Sequence, residues 1–219
     1  YLSKNIKYLK ENVIGGYNLS CIGDDRQHSC MFSKYQNSPS DEAVVEAYKL
    51  LRIKNYKIYS FLKRGSDERQ YNSPGADLKI SSIFRSKYGD YPEYHTSLDN
   101  FNLVTVKGCL GGFNVARKSI EILLKRKYPK YRIICEPQMG KRGLYPTLST
   151  KDRTKENKSY RNFLQYADGT NSLEKISNLI KLDLSSVKKI YSILLKNKLI
   201  GWWMKKTSAF KFFNKDYEV

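Results

Sequence analysis

The stretch NVIGGYNLSCIGDD, Asn12 to Asp25, alternates apolar with small or polar residues and then breaks into Gly23-Asp24-Asp25. A period of two sends successive side chains to opposite faces of a sheet. The segment therefore reads as a strand running through Cys21 or Ile22, with two carboxylates where the strand gives way to a loop. Downstream, SPSDEAVVEAYKLLRI offers Ser40 or Asp41 as a helix cap, acids in the first turn, and Val44, Ala47, Tyr48 and Leu51 at helical spacing. KIYSFLKRGSDERQYNSPGADLKISSIFRS follows as a strand, a loop at Gly65, a Pro74-Gly75 turn and a second strand near Leu78 to Phe84. TVKGCLGGFNVARKSIEILLKRK then reads as a long helix with Val115, Ile120, Leu123 and Leu124 toward a core. Strands alternating with helices predict an α/β layer architecture on a parallel sheet, with sites on the loops at strand ends.

The pattern changes at EPQMGKRGLYPTLSTKDRTKENKSY, where glycines and prolines lead into a charged run almost free of apolar residues from Lys151 to Lys158. Beyond it, TNSLEKISNLIKLDLSSVKKIYSILLKNKLIGWW gives two short helices. Leu173, Ile176, Leu179 and Ile180 line one; Val187, Ile190, Tyr191, Leu194 and Leu195 line the other, with Asp183 or Ser185 as its cap. Strand-like LIGWWMKKTSAFKFF follows, as a β-wing would. The expected organisation is an α/β domain over residues 1–150, a linker over 151–158 and a winged helix-turn-helix domain over 159–219.

The 219 residues suffice for two units with real cores, and 40% hydrophobic with 28% charged residues is ordinary for a globular protein. No apolar run approaches the roughly 20 residues of a membrane span. Cys21, Cys30, Cys109 and Cys135 form no CxxC pair, so free thiols in a reducing cytoplasm, buried as small hydrophobes, are expected. The net charge of +19 invites a nucleic-acid reading. However, the lysines are spread along the chain among abundant Asn, Ile and Tyr, the mixture that A- and T-rich codons produce.

His95 in YPEYHTSLDN is one of only two histidines. It follows a strand-and-loop stretch just as Asp24 and Asp25 follow one strand and Asp67 and Glu68 lie in the loop after another. An oxygen and nitrogen donor set of this kind suits zinc or another divalent metal, while a solvated loop acid is the commoner fate of each carboxylate taken singly.

The run from Gly65 to Asn100 resembles the Ser-Asp loop and His-Thr-x-x-Asp segment of co-catalytic zinc aminopeptidases and the related glutaminyl cyclases. GYNLSCIGDD, RGSDERQY, GDYPEYHTS and EPQMGKRGLYPTLS are together similar to a bacterial family of aminopeptidase-like proteins, often found among polysaccharide-biosynthesis functions, with a winged helix at the C-terminus. The resemblance implies a partial zinc-aminopeptidase-like three-layer α/β domain. It implies that His95 and Asp24 are metal ligands, with Asp25 the alternate to Asp24. It gives Asp67, Glu68, Thr96 and Asp99 supporting or substrate-orienting places, and Arg142, with Lys141 and Tyr145, an anionic or sugar-bearing ligand or else a glycine-rich joint. The family's upstream His, bridging Asp and general base have no match in this sequence, and His28 follows Asp24 too closely to stand in. The resemblance thus implies the C-terminal part of a metallohydrolase for peptide or amide bonds. One or two zinc ions are expected in the intact protein and no activity in this chain alone. A peptide-like or glycan-linked small substrate is the expected partner, with no membrane and no nucleic acid, and a homo-oligomer left open. The alternatives are a noncatalytic scaffold, or a DNA-binding regulator presenting Lys189 and Lys196, with Lys205, Lys206 and Lys211 on the wing.

Overall fold

Ser38, two residues before the earlier of the expected caps, starts the helix read in SPSDEAVVEAYKLLRI. Its hydroxyl accepts from Asp41 N while the Asp41 carboxylate takes the Ser38 N–H, a reciprocal capping box with Pro39 at the first helical position.

The computed structural model describes residues 1–144 and 151–202. One unit, Tyr1–Arg126, runs α1 (Leu2–Asn12), β1 (Gly16–Leu19), β2 (Ser29–Met31), α2 (Pro39–Leu50), β3 (Lys57–Tyr59), α3 (Glu68–Tyr71), β4 (Ile80–Phe84) and α4 (Val106–Lys125). The other, Lys127–Val219, runs β5 (Pro129–Tyr131), α5 (Lys151–Tyr166), α6 (Leu173–Ile180), α7 (Leu184–Lys196) and β6 (Ile200–Trp202).

The first unit is an α/β domain on a four-stranded sheet of order β1-β4-β2-β3. The sheet is mixed, not parallel as the sequence predicts: β1 pairs parallel with β4, but β2 runs antiparallel to it. β2 is only three residues long, too short for its alternation to be read, and it turns the sheet around. Period-two alternation then sorts the side chains. Cys30 of β2 and Ile83 of β4 join Val44 and Tyr48 of α2 and Val115 and Ala116 of α4 in one core. Their neighbours Met31 and Phe84 point the other way, into a cluster with Tyr59 and Tyr88. A side chain of this size contributes about 2 kcal/mol when fully buried.

Gly108 and Gly112 let α4 lie directly on the loop after β1, and Gly111 lets it close on Arg85 just after β4. A Cβ on Gly108 would stand 1.9 Å from Gly23 O, one on Gly111 2.6 Å from the Arg85 guanidinium, and one on Gly112 2.9 Å from Ile22 O. Thr105 caps the helix, accepting from Gly108 N at 2.9 Å.

In the second unit α5, α6 and α7 enclose Phe163, Ile176, Val187 and Leu194, and β5 pairs antiparallel with β6. Asp183 caps α7, as expected. Leu179 of α6 stays exposed instead of lining the core. The stretch expected as a linker, 151–158, is the first half of α5; a lack of apolar residues does not make a segment nonhelical. Of the residues 127–150 read with the first domain, the described ones, 127–144, cluster with the second. Lys205, Lys206 and Lys211 on the expected wing, and Tyr145, lie outside the described residues.

All four cysteines are free, but only Cys30 is buried; Cys109 and Cys135 are exposed, which corrects the expectation of buried thiols. No helix among the described residues is long and apolar enough to cross a membrane.

Candidate functional site

Because β1 and β4 are parallel, their C-terminal ends open on one edge of the sheet, and the loops that follow are tied together there. Arg85 N donates to Cys21 O at 2.9 Å, and Thr105 N to Gly23 O at 2.9 Å. Asp24 is buried between them. Its Oδ1 accepts from Arg26 N at 3.0 Å and Ser86 Oγ at 2.8 Å, and its Oδ2 from Ser86 N at 2.7 Å. Arg85, also buried, donates Nε to Asp24 O at 2.7 Å and presses a terminal nitrogen against His28 Nε2. Asp25 faces outward to Lys107 at 3.4 Å.

Glu68 forms a second buried carboxylate centre on the sheet face opposite α2. Oε1 accepts from Gly65 N, Ser66 N and Tyr88 Oη; Oε2 accepts from Asn18 Nδ2 at 2.9 Å and Ser82 Oγ at 3.4 Å. Asn18 and Ser82 are paired across β1 and β4, so this one carboxylate bridges two strands and the loop before α3. Burial works against its charge, but the N–H groups of Ser66 and Gly65 and the Tyr88 hydroxyl outweigh it and hold Glu68 below the ordinary carboxylate range. The other sheet face carries a similar centre at Asp41, which Ser33, Ser38 and Ser81 surround.

The His95 loop is clamped onto the Asp24 loop from outside. Arg26 donates through both terminal nitrogens to Glu93, at 3.1 and 2.7 Å. Tyr91 packs edge-on against Tyr94 at 5.9 Å, and burial first, with Cys21 beside it, pushes its pKa upward. His95 is exposed, with a positive φ of 59°, and stacks on Tyr94 at 4.1 Å. Thr96 Oγ1 donates to Glu93 O at 2.7 Å, and Asp99 N to Thr96 O at 3.2 Å. Asp67 is exposed at the start of α3. The structure therefore brings the Asp24 and His95 loops to one region, with Asp24 and Glu68 inside and His95, Thr96, Asp67 and Asp99 outside. Arg142 lies in the other unit, donating to Gln138 O at 3.2 Å, and Lys189 and Lys196 are exposed on α7.

A zinc ion in a catalytic site takes three protein ligands. Among the described residues no three His, Cys, Asp or Glu side chains stand together to hold a metal ion. Asp24 already spends both oxygens on local donors, and His28 points its Nε2 at a cation. These residues do not fit a resident zinc by themselves.

Sequence reading missed Arg85, Asn18 and Tyr88. Arg85 had a signal, a charged residue directly after the apolar strand ISSIF; Asn18 had one too, an amide inside an alternating strand.

His28 supplies a test of the Asp24 region. Burial first and Arg85 second push its pKa down to about 4, with Asp24 opposing, and its Nδ1 is buried without a partner. The unfolded chain takes up this proton near 6.5 and the folded one does not, so stability falls as pH drops from 6.5 toward about 4. The loss, screened by solvent, is expected to be about 1–2 kcal/mol. Urea unfolding at pH 7 and pH 4.5 measures it, and H28Q should flatten the difference.

A family profile described as a domain of unknown function, DUF4910, matches residues 1–126, more than half of the chain. The chain belongs to the DUF4910 family. A winged helix-turn-helix profile matches residues 126–201, in line with the α5-α6-α7 unit and its β5-β6 pair. A Clostridium acetobutylicum protein named as a polysaccharide biosynthesis protein with aminopeptidase-like domain is 31% identical over 202 residues, covering 91% of this chain and 46% of its own length. A crystal structure at 2.37 Å of a protein from that organism, described as a peptidase, is 28% identical with a TM-score of 0.55, covering 92% of this chain and 44% of that one. The chain thus spans about half the length of these relatives. They bear out the resemblance to aminopeptidase-like proteins, and the DUF4910 unit is the part that carries the Asp24, Glu68 and His95 loops.

Proposed function

We propose that this chain is part of an aminopeptidase-like, metal-dependent hydrolase for a peptide or amide bond, and that it does not hydrolyse substrate alone. The observation that supports this reading is the junction of the Asp24 and His95 loops at the paired ends of β1 and β4, locked by Ser86 from below and Arg26–Glu93 from above. Loops at strand ends are where α/β folds place their chemistry. Within that junction Asp24 and Arg85 fix backbone, Glu68 fixes the Gly65-Ser66 loop, and the exposed faces of His95 and Asp67 are left for substrate or for donors beyond the described residues. The one or two zinc ions of the intact protein would need such donors.

The test compares the 219-residue chain with the intact protein on aminoacyl p-nitroanilides, after chelation and after zinc is restored. Turnover is expected from the intact protein only, lost on chelation and regained with zinc. Turnover by the chain alone would contradict its incompleteness. An intact protein inert with zinc supplied leaves a noncatalytic scaffold in place of the hydrolase. The DNA-binding reading has less behind it: exposed Lys189 and Lys196 are what any solvated helix face presents.

A further inference from the structure

An open cleft of about 600 Å³ lies beside the Asp24 loop, between the turn that leads into β3 and the loop after β4. Its charge is one-sided. Arg26, Lys54 and Lys57 line it against a single carboxylate, Asp90. That carboxylate is committed: Tyr59 Oη donates to Asp90 Oδ2 at 2.5 Å. Arg26 is held on its outer side by Glu93. Lys54 and Lys57 are exposed, and neither forms an ion pair among the described residues. Two aromatic rings, Tyr56 and Tyr91, complete the walls. Both are held by other rings, Tyr56 by stacking on buried Tyr48 at 4.3 Å and Tyr91 by edge contact with Tyr94 at 5.9 Å.

Lysines are common over this basic chain, but these two share a concave wall with a third cation and face no free acid. A cleft of one sign of charge concentrates ligands of the other sign. Fixed aromatic faces beside ammonium groups favour a ligand with a ring or other flat body that carries its charge at one end. We infer that this cleft binds a small organic anion, a carboxylate or phosphate on a ring-bearing body, with Lys54 and Lys57 as its charge-binding residues. This goes beyond the hydrolase reading and stands without it, since binding requires no turnover.

Titration of the 219-residue chain with glucuronate, glucose 1-phosphate and glucose, followed by chemical-shift changes in labelled protein, tests it. Saturable shifts at Lys57 and Tyr91 are expected with at least one of the two anions, and binding of glucose should be weaker by about tenfold or more. The two anions tell a carboxylate ligand from a phosphate ligand. In K54Q/K57Q the affinity should fall about tenfold, while K49Q, which removes an exposed lysine outside the cleft, should leave it unchanged. Binding of neither anion, equal binding of glucose, or equal losses in K49Q and the double variant would each overturn the assignment. Circular dichroism separates a folding defect from lost binding, and R26Q gives a second variant should the double one fail to fold; its affinity too should fall.

Discussion

Alanine at Gly108 is expected to cost the DUF4910 unit more than about 3 kcal/mol, enough to abolish stable folding in a domain of ordinary marginal stability. The added Cβ would meet Gly23 O at 1.9 Å, Gly23 C at 2.5 Å and Asp24 C at 2.6 Å, all main-chain atoms. A side chain can swing aside, but this stretch of backbone is pinned by Thr105 N on Gly23 O, Arg85 on Asp24 O and Ser86 on the Asp24 carboxylate. Relief would require α4 to lift away, opening the core at Val115 and Ala116. G89A is the control: φ there is +78° with open space around it, so about 1 kcal/mol of backbone strain is expected. Urea unfolding of both variants checks the contrast. If G108A unfolds within about 1 kcal/mol of wild type, the close approach of helix and loop is wrong.

Replacing Glu68 with glutamine is expected to cost about 3 kcal/mol, because an NH₂ group takes the place of an oxygen that accepts hydrogen bonds and the charge that strengthens all five bonds is lost. Gly65 N, Ser66 N, Tyr88 Oη, Asn18 Nδ2 and Ser82 Oγ all point at this carboxylate, and the residue is 1% exposed. The depressed pKa adds a pH signature. Its stabilisation is present above the unfolded value of about 4.3 and is lost as pH falls through the lower folded value. Wild-type stability should therefore drop on that acid side, and the E68Q curve should be flatter there. Equal stability of wild type and E68Q at pH 7 would show that Glu68 is free to act on substrate instead of holding strands together.

The same residues show what the sequence could and could not reveal. The α4 helix and the α6–α7 pair are legible because each carries its own period, and so is a strand within Asn12–Asp25, although it spans only Gly16–Leu19 and stops short of the expected Cys21 or Ile22. β2 is not legible, since SCM is too short to show alternation, and its antiparallel direction depends on the long-range pairing of Met31 with Ser82. The first half of α5, 151–158, reads as a linker because its sequence is polar throughout. Asp24 was legible as a loop acid, but its capture by Ser86 was not, since Ser86 lies 62 residues away and nothing local marks it as a partner. Glu68 is legible in the sequence only as a loop acid after a strand, beside Asp67. Its five donors come from four separate stretches of chain, which only the folded sheet assembles.

β4 lies inside the sheet between β1 and β2, and all five of its residues are buried. α1 is its opposite, with no buried residue and no side-chain cap at its start. Amide hydrogen exchange would grade the unit accordingly. The Leu2–Asn12 amides exchange through local fraying long before the rest. Ser81, Ser82 and Ile83 exchange only when the whole DUF4910 unit opens, so their protection reports its global stability directly.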